Sequence, residues 1–252
     1  MATLKEIRNR LKSVKSTQQL TKAMRMVAAS KLRRAQERTI NARPYGNKLE
    51  ELLLNLINGV DRSLFPLLKE RSEAGKLNII SVGRKSEDFF VRRGYPLLKT
   101  FSGVFSKLNY SSAENITELI LSGYLSNKFD KIVLIYNKFK NVLSPEMKKE
   151  ILLPITVKHA SGSKWKPEYI YEPSVEENIQ ALLPKYLTLQ IWRTLMESNA
   201  AEEASRMAAM DSATENAKEL IRSLSVSYNR ARQASITKEL IEIISGANAL
   251  DS

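Results

Sequence analysis

The chain has 252 residues, 43% hydrophobic and 27% charged, a length and composition that suit a soluble globular protein of one or two domains. It carries no cysteine and one histidine, His159, so disulfides and thiolate metal sites are excluded and histidine-based hydrolytic or metal chemistry is left without its usual groups. The formal net charge is +13, and Met1–Lys48 alone holds 13 Lys or Arg against two acids, Glu6 and Glu37, which calls for an acidic partner: nucleic acid, an anionic membrane or an acidic protein surface.

Thr3-x-x-Glu6 is a capping box and predicts a helix starting at Leu4. Leu4, Ile7, Leu11, Val14, Gln18 and Thr21 follow in alternating steps of three and four, after which the apolar seam is predicted to drift to Leu20, Met24, Val27 and Leu32. A heptad period of this kind demands a partner helix. Pro44 is expected to kink or end the helix, because its ring displaces the carbonyl one turn back. Leu49, Leu52, Leu53, Leu56, Ile57 and Val60 then line one face, extending helix to about Asn58 with Gly59 as cap. Met1-Ala2-Thr3-Leu4 lacks the apolar core of a secretory signal, and the periodicity runs far past the length of a mitochondrial presequence.

The middle has another texture. Leu77–Val82 and Lys131–Tyr136 read as strands, Lys85–Arg93 and Ser112–Ser122 as helices, Glu168–Tyr171 as a short extended piece, and His159 as part of a polar loop. Strands alternating with helices predict a small α/β unit with a largely parallel sheet. Gly83-Arg84-Lys85-Ser86 follows a strand and precedes a helix, but it lacks the upstream glycine and four-residue spacer that wrap a phosphate, and no dinucleotide fingerprint is present. No apolar run approaches the ~20 residues of a membrane span.

Ser174-x-x-Glu177 is a second capping box, and Lys185–Ser245 contains neither Gly nor Pro. Roughly sixty residues of helix would reach ~90 Å, longer than a small domain needs. Met207, Met210, Thr214, Ala217, Ile221, Leu224, Tyr228 and Ala231 form its seam, expected to be buried, and Ala200, Ala201, Ala204, Ala208 and Ala209 allow close approach of a partner. The two ends are therefore predicted to pair. Glu176-Glu177 and Glu202-Glu203 are helical neighbours that point apart and cannot share a proton or metal, and Met24, Met26, Met207 and Met210 read as seam filling. A basic coiled-coil nucleic-acid binder is the runner-up. Against it, Lys5, Arg8, Lys12 and Lys15 interleave with Leu4, Ile7, Leu11 and Val14, so the seam is occupied where a DNA-reading basic region leaves it free, and no aromatic residue precedes Tyr45.

Ile7-Arg8 together with Ser16-Thr17-Gln18-Gln19-Leu20-Thr21-Lys22-Ala23-Met24-Arg25-Met26-Val27-Ala28-Ala29-Ser30-Lys31 resembles the N-terminal helix of the gamma subunit of F-type ATP synthase. Arg206-Met207-Ala208-Ala209-Met210-Asp211-Ser212-Ala213 and the stretch from Tyr228 through Arg232-Gln233-Ala234-Ser235-Ile236-Thr237 to Ala247 resemble its C-terminal helix. The resemblance implies a non-catalytic rotor stalk with no cofactor: an antiparallel coiled coil of the two terminal helices (1–60 and 174–252) and a small Rossmann-like α/β foot (61–173). The implied partners are a ring of alpha and beta subunits, the epsilon subunit and the membrane c-ring, with no nucleic acid and no span of its own. Arg232, Gln233 and Thr237 match the family's cluster that engages beta, Met24 with Arg25 lies where beta's acidic levers push, and Ile243, Ile244, Ala247 and Leu250 match the part that turns in an apolar collar. The family's strand and cysteine-bearing loop after the first helix are expected to be absent, about thirty or more residues in all, with only Asp61-Arg62 hinting at them. The setting implied is the cytoplasmic face of a bacterial inner membrane rather than an organelle.

Overall fold

The computed structural model of the chain describes residues 3–57, 60–61, 64–69, 71, 75–141, 145–155 and 171–250, without the side chains of 246–250. His159, the Gly59 cap and all of the predicted extended piece except Tyr171 lie outside the described residues. The elements are α1 (Leu4–Ile57), β1 (Ile79–Val82), α2 (Arg84–Arg92), β2 (Leu97–Phe101), α3 (Tyr110–Leu125), β3 (Ile132–Lys138), β4 (Glu146–Leu153) and α4 (Val175–Leu250). They form two compact units, one of residues 1–32 and 203–252 and one of residues 33–202, to each of which both long helices contribute.

Both predicted caps are made. The Thr3 N–H donates to Glu6 Oε2 at 2.9 Å while the Glu6 N–H donates to Thr3 Oγ1 at 3.3 Å, and the Glu177 N–H donates to Ser174 Oγ at 3.2 Å. Each removes orphan donors from a helix start. Pro44 does not end α1, which runs on to Ile57. Its ring is on the exposed side, where the carbonyl it displaces can meet water, while Leu49, Leu53, Leu56 and Ile57 further along are buried at 4% or less and hold the helix in place. Tertiary burial outweighs the local cost of proline, about 3 kcal/mol. Pro184 is likewise carried inside α4.

In the first unit the start of α1 packs antiparallel on the end of α4. The Thr214 hydroxyl is 2.9 Å from the Thr21 hydroxyl, Arg25 pairs with Asp211, and Lys31 pairs with Glu203, so numbers rise on one helix as they fall on the other. The seam of α1 keeps strict three-four spacing through Leu4, Ile7, Leu11, Val14, Gln18, Thr21, Arg25, Ala28 and Leu32, all buried or half-buried. The predicted drift fails at Leu20, Met24 and Val27, which are exposed at 61%, 41% and 56%, and holds at Leu32, buried at 5%. Thr21 and Ala28 hold the seam because small side chains permit close approach, a signal that hydrophobicity alone does not carry. All eight predicted seam positions of α4 are buried or half-buried, but Ile221 and Leu224 are half-buried rather than fully so, since two helices alone leave the seam's flanks open.

The second unit holds the main core. Leu49, Leu53, Leu56 and Ile57 of α1 meet Ile179, Leu183, Leu187, Ile191 and Leu195 of α4, with Ala113, Ile116, Ile120 and Tyr124 of α3, Phe65, Leu67 and Leu68, and Leu152 and Leu153 of β4. Among the described residues the strands form two separate pairs: β1 with β2, parallel across the α2 crossover, and β3 with β4, antiparallel. A short connection can only return a strand antiparallel, so half of the predicted parallel sheet is instead a hairpin. Arg71 closes this unit's edge, donating to the carbonyls of Tyr124 (2.7 Å) and Phe129 (3.2 Å) with its guanidinium over the Tyr124 ring.

Candidate functional site

No group of three or more acidic or histidine side chains that could hold a metal occurs among the described residues. The phosphate-loop lookalike is used internally: Gly83 caps α2 with a φ of 100°, and the Ser86 hydroxyl is occupied by Gly83 O (2.8 Å), Val82 O (3.1 Å) and the Ser81 hydroxyl (2.7 Å). Glu202 and Glu203 part company as predicted, the first exposed and the second buried.

The surfaces left to act are on the long helices. From the Thr21–Thr214 contact, equal steps back along α1 and forward along α4 set Val14 level with Ile221, Leu11 with Leu224, Ile7 with Tyr228 and Leu4 with Ala231. The start of α1 is thus reached, and α4 continues to Leu250 with no partner helix among the described residues of its own unit. Every residue from Arg232 to Ser245 is exposed, including Ile236, Leu240, Ile241, Ile243 and Ile244. The Thr237 hydroxyl donates to the Gln233 carbonyl, and Lys238 pairs with Glu242. The side chains of Ala247 and Leu250 lie outside the described residues. A long exposed apolar stripe is a docking surface before it is anything else.

On α1, Leu20, Met24 and Val27 form a second outward stripe, with Lys5, Arg8, Lys12, Lys15 and Lys22 exposed around it. Arg25, which the resemblance sets beside Met24 at an interface, pairs with Asp211 of α4. Glu203 lies between Lys31 (3.7 Å) and Arg206 (2.7 Å), its side chain only 8% exposed.

The second unit contains a polar network that sequence reasoning missed. The Tyr136 hydroxyl donates to Glu150 Oε1 at 3.0 Å, and Arg193 reaches Glu150 Oε2 at 2.9 Å. Burial, with the nearby Glu197 and Glu150 carboxylates, pushes the Tyr136 phenol up, and burial pushes the Glu197 carboxyl up against the pull of Arg193, Lys138 and Arg43. A cavity of about 70 Å³ lies here, lined by Arg43, Gly46, Glu50, Arg193 and Glu197 among others. Only the alternation of β3, which turns Tyr136 and Leu134 to one face, could have hinted at it.

Residues 3–76 and 60–250 match the family model described as ATP synthase. The ATP synthase gamma chain of Chlorobaculum parvum is 50% identical over 290 residues, covering 99% of each chain, and that of Chloroherpeton thalassium is 49% identical over 301, covering 100% and 99%. Alignments this long over nearly all of a 252-residue chain mean that the relatives carry residues this one lacks, and the two matched stretches meet at 60–76, between α1 and β1. Among solved structures, a chain of the Euglena gracilis mitochondrial ATP synthase (OSCP/F1/c-ring) has a TM-score of 0.66 at 18% identity over 98% of this chain and 94% of its own. A rotor chain from the same organism has a TM-score of 0.61 at 16% identity, over 92% and 98%. At such identities the likeness is one of fold.

Proposed function

The chain belongs to the ATP synthase family, among the gamma chains, and from that premise we propose that it is the central rotor stalk coupling rotation of a membrane ring to ATP synthesis or hydrolysis on partner subunits. The observation that carries this reading is the bare end of α4: a helix that outruns its partner and displays Arg232, Gln233, Thr237, Ile243 and Ile244 is built to be surrounded. On this reading the alpha–beta ring surrounds that end, and Met24 within its outward stripe takes the push of acidic beta surface. The basic surplus of the first 48 residues then has its counter-charge. The foot contacts the epsilon subunit and the c-ring. Catalysis stays with the ring. No helix among the described residues is long and apolar enough to cross a membrane, which agrees with peripheral attachment, here assigned to the cytoplasmic face of a bacterial inner membrane.

The test is reconstitution. An alpha–beta ring on its membrane sector, supplied with this chain and its epsilon subunit, is expected to pump protons at the expense of ATP, and to hydrolyse without pumping when the chain is left out. Equal pumping in both preparations overturns the reading.

A further inference from the structure

Among the described residues, the helix pair in the first unit has few polar contacts to fix its register: the Thr21–Thr214 hydroxyl pair and the ion pairs Arg25–Asp211 and Lys31–Glu203. Apart from Leu32 and Glu203, its buried side chains are Thr21, Ala28, Ala204 and Ala217, small groups whose packing changes little on sliding. A three-four seam offers nearly the same spacing one turn along, so apolar burial discriminates weakly between registers, and helix pairs of this kind use a buried polar group to choose.

Glu203 is that group. Its side chain is 8% exposed; Oε1 lies 2.7 Å from Arg206 on the same helix and 3.7 Å from Lys31 Nζ on the other, while Oε2 is buried with no hydrogen-bond partner. A carboxylate so enclosed is tolerated only with its cations in place. A slide of about one turn, ~5.4 Å, in the direction that brings Thr21 toward Met210 puts Val27 where Lys31 stood and leaves Arg206 as the cation on the charge. The Arg25–Asp211 pair agrees with this register but is exposed on both sides, 43% and 55%, where water replaces either partner cheaply. We propose that Glu203 is a register lock: a positioning residue that fixes α1 against α4 and holds the pair against axial sliding under load. The last clause rests on the rotor reading; the lock itself does not.

The chain has no cysteine, so introduced pairs report the register without background. Thr21→Cys with Thr214→Cys marks the native register, since the two hydroxyls are already 2.9 Å apart, and Thr21→Cys with Met210→Cys marks the slide of about one turn that withdraws Lys31. In the parent the native pair is expected to cross-link and the shifted pair to lag about tenfold, the ratio given by a gap of about 1.4 kcal/mol. Glu203→Gln and Glu203→Leu are each expected to narrow that ratio several-fold. The leucine variant replaces a buried ion by an apolar side chain of similar bulk, so its melting temperature holds while its register loosens, a combination that a purely structural role does not produce. In the assembled enzyme, Glu203→Leu is expected to lower the protons pumped per ATP hydrolysed. An unchanged cross-linking ratio in both variants overturns the lock. A narrowed ratio with unchanged pumping, in a complex whose parent couples, overturns its role under load. A parent chain that couples no ring refutes the rotor reading instead, and the cross-linking ratio still decides the lock.

Discussion

Gly123 lies in α3 where the ring of Phe129 comes down onto the helix. A Cβ built there would stand 2.0 Å from Phe129 Cε2 and 2.5 Å from Cδ2. Glycine to alanine inside a helix ordinarily gains about 1 kcal/mol. Here the sign reverses, because the ring belongs to the turn that Arg71 clamps through the Phe129 and Tyr124 carbonyls and has little room to yield. Gly123→Ala is expected to cost about 1–3 kcal/mol in urea melts of the whole chain. Glu197 gives a second prediction at this scale. Burial raises its folded-state pKa above the ordinary 4.5, against Arg193, Lys138 and Arg43 and with Glu150. Its folded form therefore favours the neutral acid: the associated stability is fully present below the unfolded value and is lost as pH rises through the folded one. Replacing it by glutamine should remove that loss, so thermal melts of parent and Glu197→Gln diverge as pH climbs above 4.5, with the variant the more stable. Parallel pH profiles would show that the carboxyl does not titrate there.

At the scale of elements, the helices were legible because their signals are local and repeated. Two capping boxes named both starts to the residue, and the α4 seam from Met207 to Ala231 was read in full. The α1 seam was legible through Thr21 and again at Leu32, and misread between them for a physical reason: the facing positions there are Arg25 and Ala28, while the larger apolar residues Leu20, Met24 and Val27 point outward. Two measurements separate these stripes. Leu20→Ala should leave the melting of the helix pair within about 0.5 kcal/mol, whereas Ala28→Leu, forced into a seam with 1% exposure, should cost about 1–3 kcal/mol. Ile221→Asp, at a half-buried seam position, should cost about 1 kcal/mol or more by circular dichroism, from lost apolar burial and a desolvated charge. Strands β2 and β4 escaped the sequence because neither looks apolar enough: Leu97–Phe101 is interrupted by Lys99 and Thr100, and Glu146–Leu153 carries Lys148, Lys149 and Glu150 on a strand that, among the described residues, pairs with β3 alone. The Tyr136–Glu150–Arg193 network was illegible for the same cause, since it needs β4 in place before its members meet.

At the scale of the molecule, the unequal spread of charge sets how the chain meets a partner. A surplus concentrated in the first 48 residues attracts an acidic surface over distances that salt shortens to about 8 Å at physiological ionic strength. Raising salt well above that level should slow association with the alpha–beta ring, leaving melts of the isolated chain nearly unchanged; salt-independent association would remove the assigned role of the surplus. The same view explains what the family alone could tell. The end signatures announced the gamma chains, and the relatives' alignments run longer than this chain, in line with the segment expected to be absent after the first helix; among the described residues the strands form two separate pairs in place of one sheet.

The overrun of α4 past Ala231 has one more consequence. Helices as short as these last turns are marginal in water when nothing packs on them. Among the described residues from Arg232 on, no side chain is even half-buried, so the tip borrows its order from whatever encloses it. Amide protons there should trade with solvent quickly in the lone chain and slowly once it is housed, making the tip a gauge of whether a given molecule has found its assembly or is still waiting for one.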